Sequence, residues 1–281
     1  MRRLLPVVLG LAVLTGCATP SAPVRAAPSP EQAPETLRVM TWNVLAREFD
    51  PPRWAPTIAT ERPDVVGLQE VCAADVVELA ELLSAEHGLE YTAVPGPVVP
   101  TPEEDAQPIN AALRRPCNDG ADITFGLGVL TTLPVTSERT ELFVPDNRDE
   151  QRGYQRLELG LPGGTTLTVH NTHVGIAGVQ GDQLRAIAEL AAAEPSPGLL
   201  LGDLNVAPDD ARLDPLRASF AEVDPAGRLP TGGNDPDTPD APALIKIDYV
   251  FQRGLDPVAP PRAPWVPSSD HRPLIADLAV P

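Results

Sequence analysis

The chain has 281 residues and carries 39 Asp and Glu against 21 Lys and Arg, a formal net charge of −18. That length suits one large α/β domain with a substantial core. Lys246 is the sole lysine, and so acidic a chain repels polyanions and anionic lipid at long range, which excludes tight, non-specific binding of nucleic acid but not its turnover.

Arg2 and Arg3 followed by the apolar run 4–14 read as a secretory leader, about half the ~20 residues a membrane-spanning helix needs. Leu14-Thr15-Gly16-Cys17 resembles the bacterial lipobox. That resemblance implies that residues 1–16 are a removed signal peptide and that Cys17 is acylated. The chain would then be exported and anchored as a lipoprotein on the outer face of the cytoplasmic membrane, each buried CH2 contributing roughly 0.8 kcal/mol. The alternative is a soluble secreted protein in which Cys17 is incidental. Residues 17–35 are rich in Pro, Ala and Ser without hydrophobic periodicity, the composition of a flexible spacer. Residues 36–281 form the expected folded α/β domain.

Within it, 37–44 and 64–69 read as strands, the second apolar enough for a buried sheet. Residues 75–86 have helical spacing, with Val76, Leu79, Leu82 and Leu83 on one face. A short strand at 91–94 leads into a Pro-rich, polar stretch, 95–122, too long for an ordinary connection and therefore functional or mobile. Cys117 lies in that stretch. With Cys17 lipidated, Cys72 and Cys117 remain as a disulfide pinning the loop near Glu70, or as two buried free thiols.

Strands follow at 124–131, 135–144, 154–161 and 165–174, with Pro162-Gly163-Gly164 as a hairpin turn between the last two. Residues 182–193 read as a helix with Leu184, Ile187, Ala188 and Ala191 inward. A buried strand over 199–201 ends at Gly202-Asp203; 213–220 reads as a short helix and 230–242 as a Gly/Pro/Asp loop. The acidic run 234–240 lacks the Gly and distal Glu of an EF-hand and reads as solvated. Strands at 245–252 and 274–280 close the sheet. Strands in clusters with intervening helices point to a mixed-sheet α/β sandwich.

Polar residues with chemical capacity stand at the ends of these apolar runs. Metal-assisted hydrolysis needs hard oxygen ligands for the cation, a nucleophilic water and help for the leaving group. Glu70 offers a carboxylate and Asn43 an amide oxygen, a hard set that suits Mg2+ with Mn2+ as substitute. There is no HExxH, Cys/His cluster or paired CxxC for zinc, and no GxSxG nucleophile elbow.

Thr41-Trp42-Asn43, Leu68-Gln69-Glu70, Asn171-Thr172-His173, Gly202-Asp203-Leu204-Asn205, Ile247-Asp248-Tyr249 and Ser269-Asp270-His271-Arg272-Pro273 occur in this order. Together they resemble the endonuclease/exonuclease/phosphatase superfamily, with its DNase I-like fold. The resemblance covers nearly all of 36–281, including Arg152-Gly153, and implies a four-layer sandwich of two mixed β-sheets flanked by helices. It also implies roles. Glu70 binds the metal, with Asn43 near it and Asp270 completing the shell through water. Asp203 orients or deprotonates the attacking water, and Asn205 donates to a phosphate oxygen. His271 contacts the phosphate as base or electrostatic stabiliser, and Asp248 fixes its tautomer. His173 is general acid or phosphate ligand, and Arg152 holds the phosphate. Arg156 lies near enough in sequence to share or replace that contact, and Arg114, Arg115 and Arg148 extend a possible basic patch. His87 and His170 read as structural, and Trp42 as core packing.

Three readings of the substrate remain. The first is an extracytoplasmic phosphodiesterase or phosphomonoesterase, including a nuclease; the second is a sphingomyelinase-like phospholipid phosphodiesterase; the third is a non-catalytic binding lipoprotein. The tether favours the second, whereas the 95–122 loop has no aromatic residue for membrane entry. Damage to the site would mark the third, and every expected position is filled. The chain is expected to be a monomer.

Overall fold

The structure, a computed structural model, describes residues 36–46, 48–98, 117, 125–144, 151–176, 178–239 and 241–280. Cys17, Arg114, Arg115 and Arg148 lie outside these residues. No helix among the described residues is long and apolar enough to cross a membrane.

Two mixed sheets pack face to face. The first holds β1 (Thr36–Asn43), β2 (Val65–Cys72), β3 (Thr92–Pro97), β4 (Phe125–Thr131) and β11 (Leu274–Ala279) in the order β11-β1-β2-β4-β3. The second holds β5 (Val135–Leu142), β6 (Gly153–Gly160), β7 (Thr166–His173), β8 (Gly198–Asp203), β9 (Ala221–Glu222) and β10 (Asp248–Arg253) in the order β5-β6-β7-β8-β10-β9. The pairs β1–β2 and β7–β8 are parallel; the other pairs are antiparallel.

The layers follow from alternation along each strand. Inward residues such as Val39, Val65, Val129, Leu157, Val169, Leu201 and Val250 form a core between the sheets. The opposite face of the first sheet presents Met40, Trp42, Val66 and Leu68 to α1 (Pro51–Glu61) and α2 (Ala73–His87), which contribute Trp54, Ile58, Val76, Leu79 and Leu83. The outer face of the second sheet packs Tyr154, Leu200, Tyr249 and Phe251 on α3 (Gln180–Ala192) and the short α4 (Asp214–Arg217), which bring Leu184, Ile187, Ala191 and Leu216. This is the four-layer mixed-sheet sandwich expected from the sequence. Helix α1 falls in the stretch 45–63, to which the sequence reading assigned no element. Pro51 and Pro52 sit in the first turn, where no helical partner is needed for the missing N–H, and Trp54, Ala55 and Ile58 are buried beneath them.

A disulfide joins Cys72, at the end of β2, to Cys117, with Cα atoms 5.1 Å apart. Closing a loop over a separation of 45 residues stabilises the fold by about 4 kcal/mol on the chain-entropy model. His170 is fully buried on the outer face of β7, stacked on Tyr154 and 2.9 Å from its hydroxyl. Burial drives its pKa down to about 3, so it is a neutral core residue. Arg156 shares that outer face, held between Glu158 and Glu194 at 2.8 and 2.6 Å, and takes no part in the site described next.

Candidate active site

The strand register carries the polar residues to one edge of the sandwich. Across the second sheet one row of paired residues reads Leu142, Gly153, His173, Asp203, Asp248. In the first sheet Asn43 ends β1 beside Gln69, and Glu70 follows. β1, β2, β7 and β8 all finish at this edge and β10 begins there, so three carboxylates, a histidine and an asparagine meet without any loop having to fold over.

Two local devices refine the aim. The register of β2 against β4 shifts between Gln69 and Val71, and Glu70 at this bulge has φ 52°. Asn205, just past β8, has φ 53°. Left-handed conformations at non-glycine residues are held only where surroundings over-determine them, and bulges re-aim side chains. Gln69 and Asn171 lock the two sheets together: Gln69 Nε2 donates to Asn171 Oδ1 at 2.7 Å, and Asn171 Nδ2 donates to Leu68 O and Gly128 O. Gly67 makes room for this, since a Cβ there would stand 2.9 Å from Asn171 Oδ1. Gln69 and Asn171 had no role assigned from the sequence, although both stand in the quoted motifs.

Asp203 is the hub. Its Oδ1 accepts from the Asn205 N–H at 3.0 Å, and its Oδ2 accepts from Asn43 Nδ2 at 3.2 Å. Asn43 Nδ2 also reaches Glu70 Oε1 at 3.1 Å, while its Oδ1 accepts from Leu45 N–H at 3.2 Å. Asn43 thus bridges the carboxylates of the two sheets. His173 Nε2 stands 3.4 Å from Asp203 Oδ2, and His271 Nε2 stands 3.9 Å from the same oxygen. On its other side His271 Nδ1 bonds Asp248 Oδ2 at 2.9 Å.

These contacts set the charges. Burial, reinforced by the Asp248 charge, raises the Asp203 pKa above the usual carboxylate range, against the opposing pull of His271, Asn43 and the Asn205 N–H. Burial alone would lower the His271 pKa. The charge of Asp248 and its hydrogen bond, with Asp203 and Asp270, outweigh it, and the net shift is upward from 6.5. His271 is therefore an imidazolium at neutral pH. His173 has a different neighbourhood: Arg152 Nη1 lies 2.6 Å from Nδ1 and 3.0 Å from Nε2, and Asn205 Nδ2 lies 3.1 Å from Nε2.

The residues present fit a small divalent cation. Burial and then Glu70 and Asp248 raise the Asp270 pKa, partly opposed by His271, and Asp270 Oδ1 is buried with no hydrogen-bond partner. Hard carboxylate oxygens are what Mg2+ takes. Asp203, Asp248 and His271 also bring ligand atoms within 4.8 Å of one another. Within that group His271 Nδ1 is taken by its hydrogen bond to Asp248 Oδ2.

The turn that carries Asp270 and His271 is itself held from three sides. Ser269 Oγ donates to Asn43 O at 2.6 Å and accepts from His271 N–H at 3.0 Å. Trp42, fully buried, donates from Nε1 to His271 O at 3.0 Å, so it both packs and positions. Asn234 is buried against the turn, a correction to the reading of 234–240 as solvated throughout. Nothing in its sequence context marked it, because its partners are mostly backbone carbonyls.

The family model described as "Endonuclease/Exonuclease/phosphatase family" matches residues 40–271. Among solved structures, an endonuclease/exonuclease/phosphatase from Beutenbergia cavernae superposes with TM-score 0.64 at 24% identity, over 88% of this chain and 72% of that one. One from Bacteroides vulgatus gives 0.63 at 18% identity, over 88% and 99%. The D. rerio TDP2 complexed with single strand DNA product gives 0.62 at 16% identity, over 87% and 99%. No curated protein matches the sequence.

Proposed function

The chain belongs to the endonuclease/exonuclease/phosphatase family, and from that premise we propose that it is a divalent-metal-dependent hydrolase of phosphate esters acting outside the cytoplasm, tethered through Cys17. The observation that carries the reading is the Asp248–His271 pair aimed at Asp203, 2.9 Å on one side and 3.9 Å on the other. A buried carboxylate of raised pKa beside an imidazolium is a base beside a cation, the two groups that attack on phosphorus requires.

Glu70 and Asp270 would hold the metal, Mg2+ or Mn2+, with Asn43 tying Glu70 to Asp203. When bound, such an ion supplies positive charge against the non-bridging oxygens. Asp203 orients the attacking water and accepts its proton. His271 presents its Nε2–H to the phosphate as an electrostatic stabiliser; its raised pKa makes it a poor base at neutral pH. Asp248 fixes the tautomer by occupying Nδ1 and keeps the ring charged. Arg152 beside His173 favours the role of phosphate ligand for His173 over that of acid, with Asn205 as a further amide donor.

For the substrate, a phosphodiester is the leading class, a nucleic acid among the candidates; the DNA product in the TDP2 structure supports including it. A phospholipid is the second reading. It is favoured by exposed Leu142, Val144, Leu244 and Ile245, which stand level with the catalytic row or beyond its strand ends. Plasmid DNA, RNA, sphingomyelin, inositol phosphates and bis-p-nitrophenyl phosphate, assayed with Mg2+, separate these. Hydrolysis of at least one is expected, abolished by a strong chelator and restored by Mg2+ or Mn2+; undiminished turnover in excess chelator would sink the proposal. Fatty-acid labelling of producing cells tests the tether, with Cys17→Ser expected to lose the label.

A further inference from the structure

Asn234 lies in the loop between β9 and β10, well away in sequence from the turn 266–272 that it touches. It is only 4% exposed. Its Nδ2 donates to Val266 O at 2.9 Å and to Ser269 O at 2.8 Å, its Oδ1 accepts from Arg272 Nε at 3.1 Å, and its backbone N–H donates to Asp270 O at 2.7 Å. One residue thus meets both shoulders of the turn and its centre, and spends both hydrogens and the oxygen of its amide there. Thr231, from the same loop, completes the tie. Its carbonyl accepts from Arg272 N–H at 2.8 Å, and its hydroxyl oxygen accepts from Asp248 N–H at 3.1 Å. The loop therefore spans the gap between Asp248 on β10 and His271 on the turn, two residues whose side chains must meet.

We infer that Asn234 is a positioning residue, which fixes Asp270 and His271 relative to Asp248 through the backbone of the turn. The inference rests on the hydrolytic reading above for its kinetic consequence, and on geometry alone for its structural one. An apolar replacement leaves two buried carbonyls and a guanidinium nitrogen without partners. An aspartate at the same size can only accept, so it faces the carbonyls of Val266 and Ser269 with like charge. A displacement near 1 Å in a reacting group costs about 100-fold in rate.

The test uses the full chain and three variants: Asn234→Ala, Asn234→Asp and, as control, the exposed Asp237→Ala. Turnover of bis-p-nitrophenyl phosphate with Mg2+ is measured alongside the low-field NMR resonance of the His271 Nδ1 proton in metal-free protein. The expected result is a kcat lower by about 100-fold in both Asn234 variants. KM stays close to wild type, the His271 resonance is displaced or lost, a cooperative melt persists, and Asp237→Ala is unchanged throughout. A wild-type kcat with an undisplaced resonance in either Asn234 variant overturns the inference, and so does loss of cooperative melting in both, which would assign Asn234 to the fold alone. If wild type turns over no phosphate ester yet the resonance moves in the variants, the hydrolytic reading fails and the positioning role stands.

Discussion

His271→Ala is expected to lower kcat/KM by about a thousandfold or more, equivalent to about 4 kcal/mol of transition-state stabilisation. His271 Nε2 stands 3.9 Å from Asp203 Oδ2, and Asp248 spends its own charge holding the ring in place and protonated. Positive charge placed where negative charge develops, in a site with little water, is worth far more than the same charge at a surface. Removing the ring also strands the fully buried Asp248, so His271→Gln is the cleaner companion: it keeps a neutral hydrogen-bonding group near Asp248 and loses only the charge. Comparable losses in the two variants would assign the effect to charge; a near-wild-type rate in His271→Gln would assign it to shape.

The pH profile gives the same prediction a sign. Activity requires Asp203 ionised and His271 protonated. The rate should fall as pH drops through the Asp203 pKa, which burial and Asp248 hold above the normal carboxylate range, and fall again as pH rises through the His271 pKa, held above 6.5. Because His271 lowers the Asp203 pKa, its loss should move the acid limb of the residual activity to higher pH and abolish the alkaline limb. An unmoved acid limb would mean that Asp203 is not the group seen in the profile.

Much of this arrangement was legible in the sequence, for a physical reason. The polar residues of the site terminate apolar runs, and a run that ends in Asn43, Glu70, His173 or Asp203 announces both a buried strand and what it delivers. Strand parity did not separate the two arginines: Arg152 and Arg156 share it, but only Arg156 lies within β6, on the outer face with Tyr154. What stayed hidden was of two kinds. Helix α1 begins on Pro51 and Pro52, in a stretch to which the sequence reading assigned no element. Asn234, Thr231 and Ser269 act on backbone groups far along the chain, and a carbonyl has no letter in the sequence. The bulge that turns Glu70 inward was hidden likewise, because a left-handed glutamate is held by its surroundings, not by its own propensity.

That conformation supplies the second large prediction. Glu70→Gln keeps the size and the amide-compatible bond to Asn43 while removing one of the two carboxylates that repel each other. In metal-free protein the change should be neutral or stabilising, because the Glu70 charge raises the Asp270 pKa and that repulsion disappears. With Mg2+ the order should reverse. An ion bound only by the folded state raises its melting temperature in proportion to RT ln(1 + [L]/Kd). Even a residue that merely supports a ligand alters metal affinity by about 10–100-fold, so a direct ligand should cost at least about 100-fold. Wild type should therefore gain thermal stability with millimolar Mg2+ and the variant should gain little, with kcat/KM falling by two or more orders of magnitude at the same Mg2+ concentration. A purely structural glutamate gives the opposite pattern: the metal-free variant would melt lower, and Mg2+ would lift both proteins equally. The crossing of the two melting curves, rather than the loss of activity, is what identifies Glu70 as the residue that meets the ion.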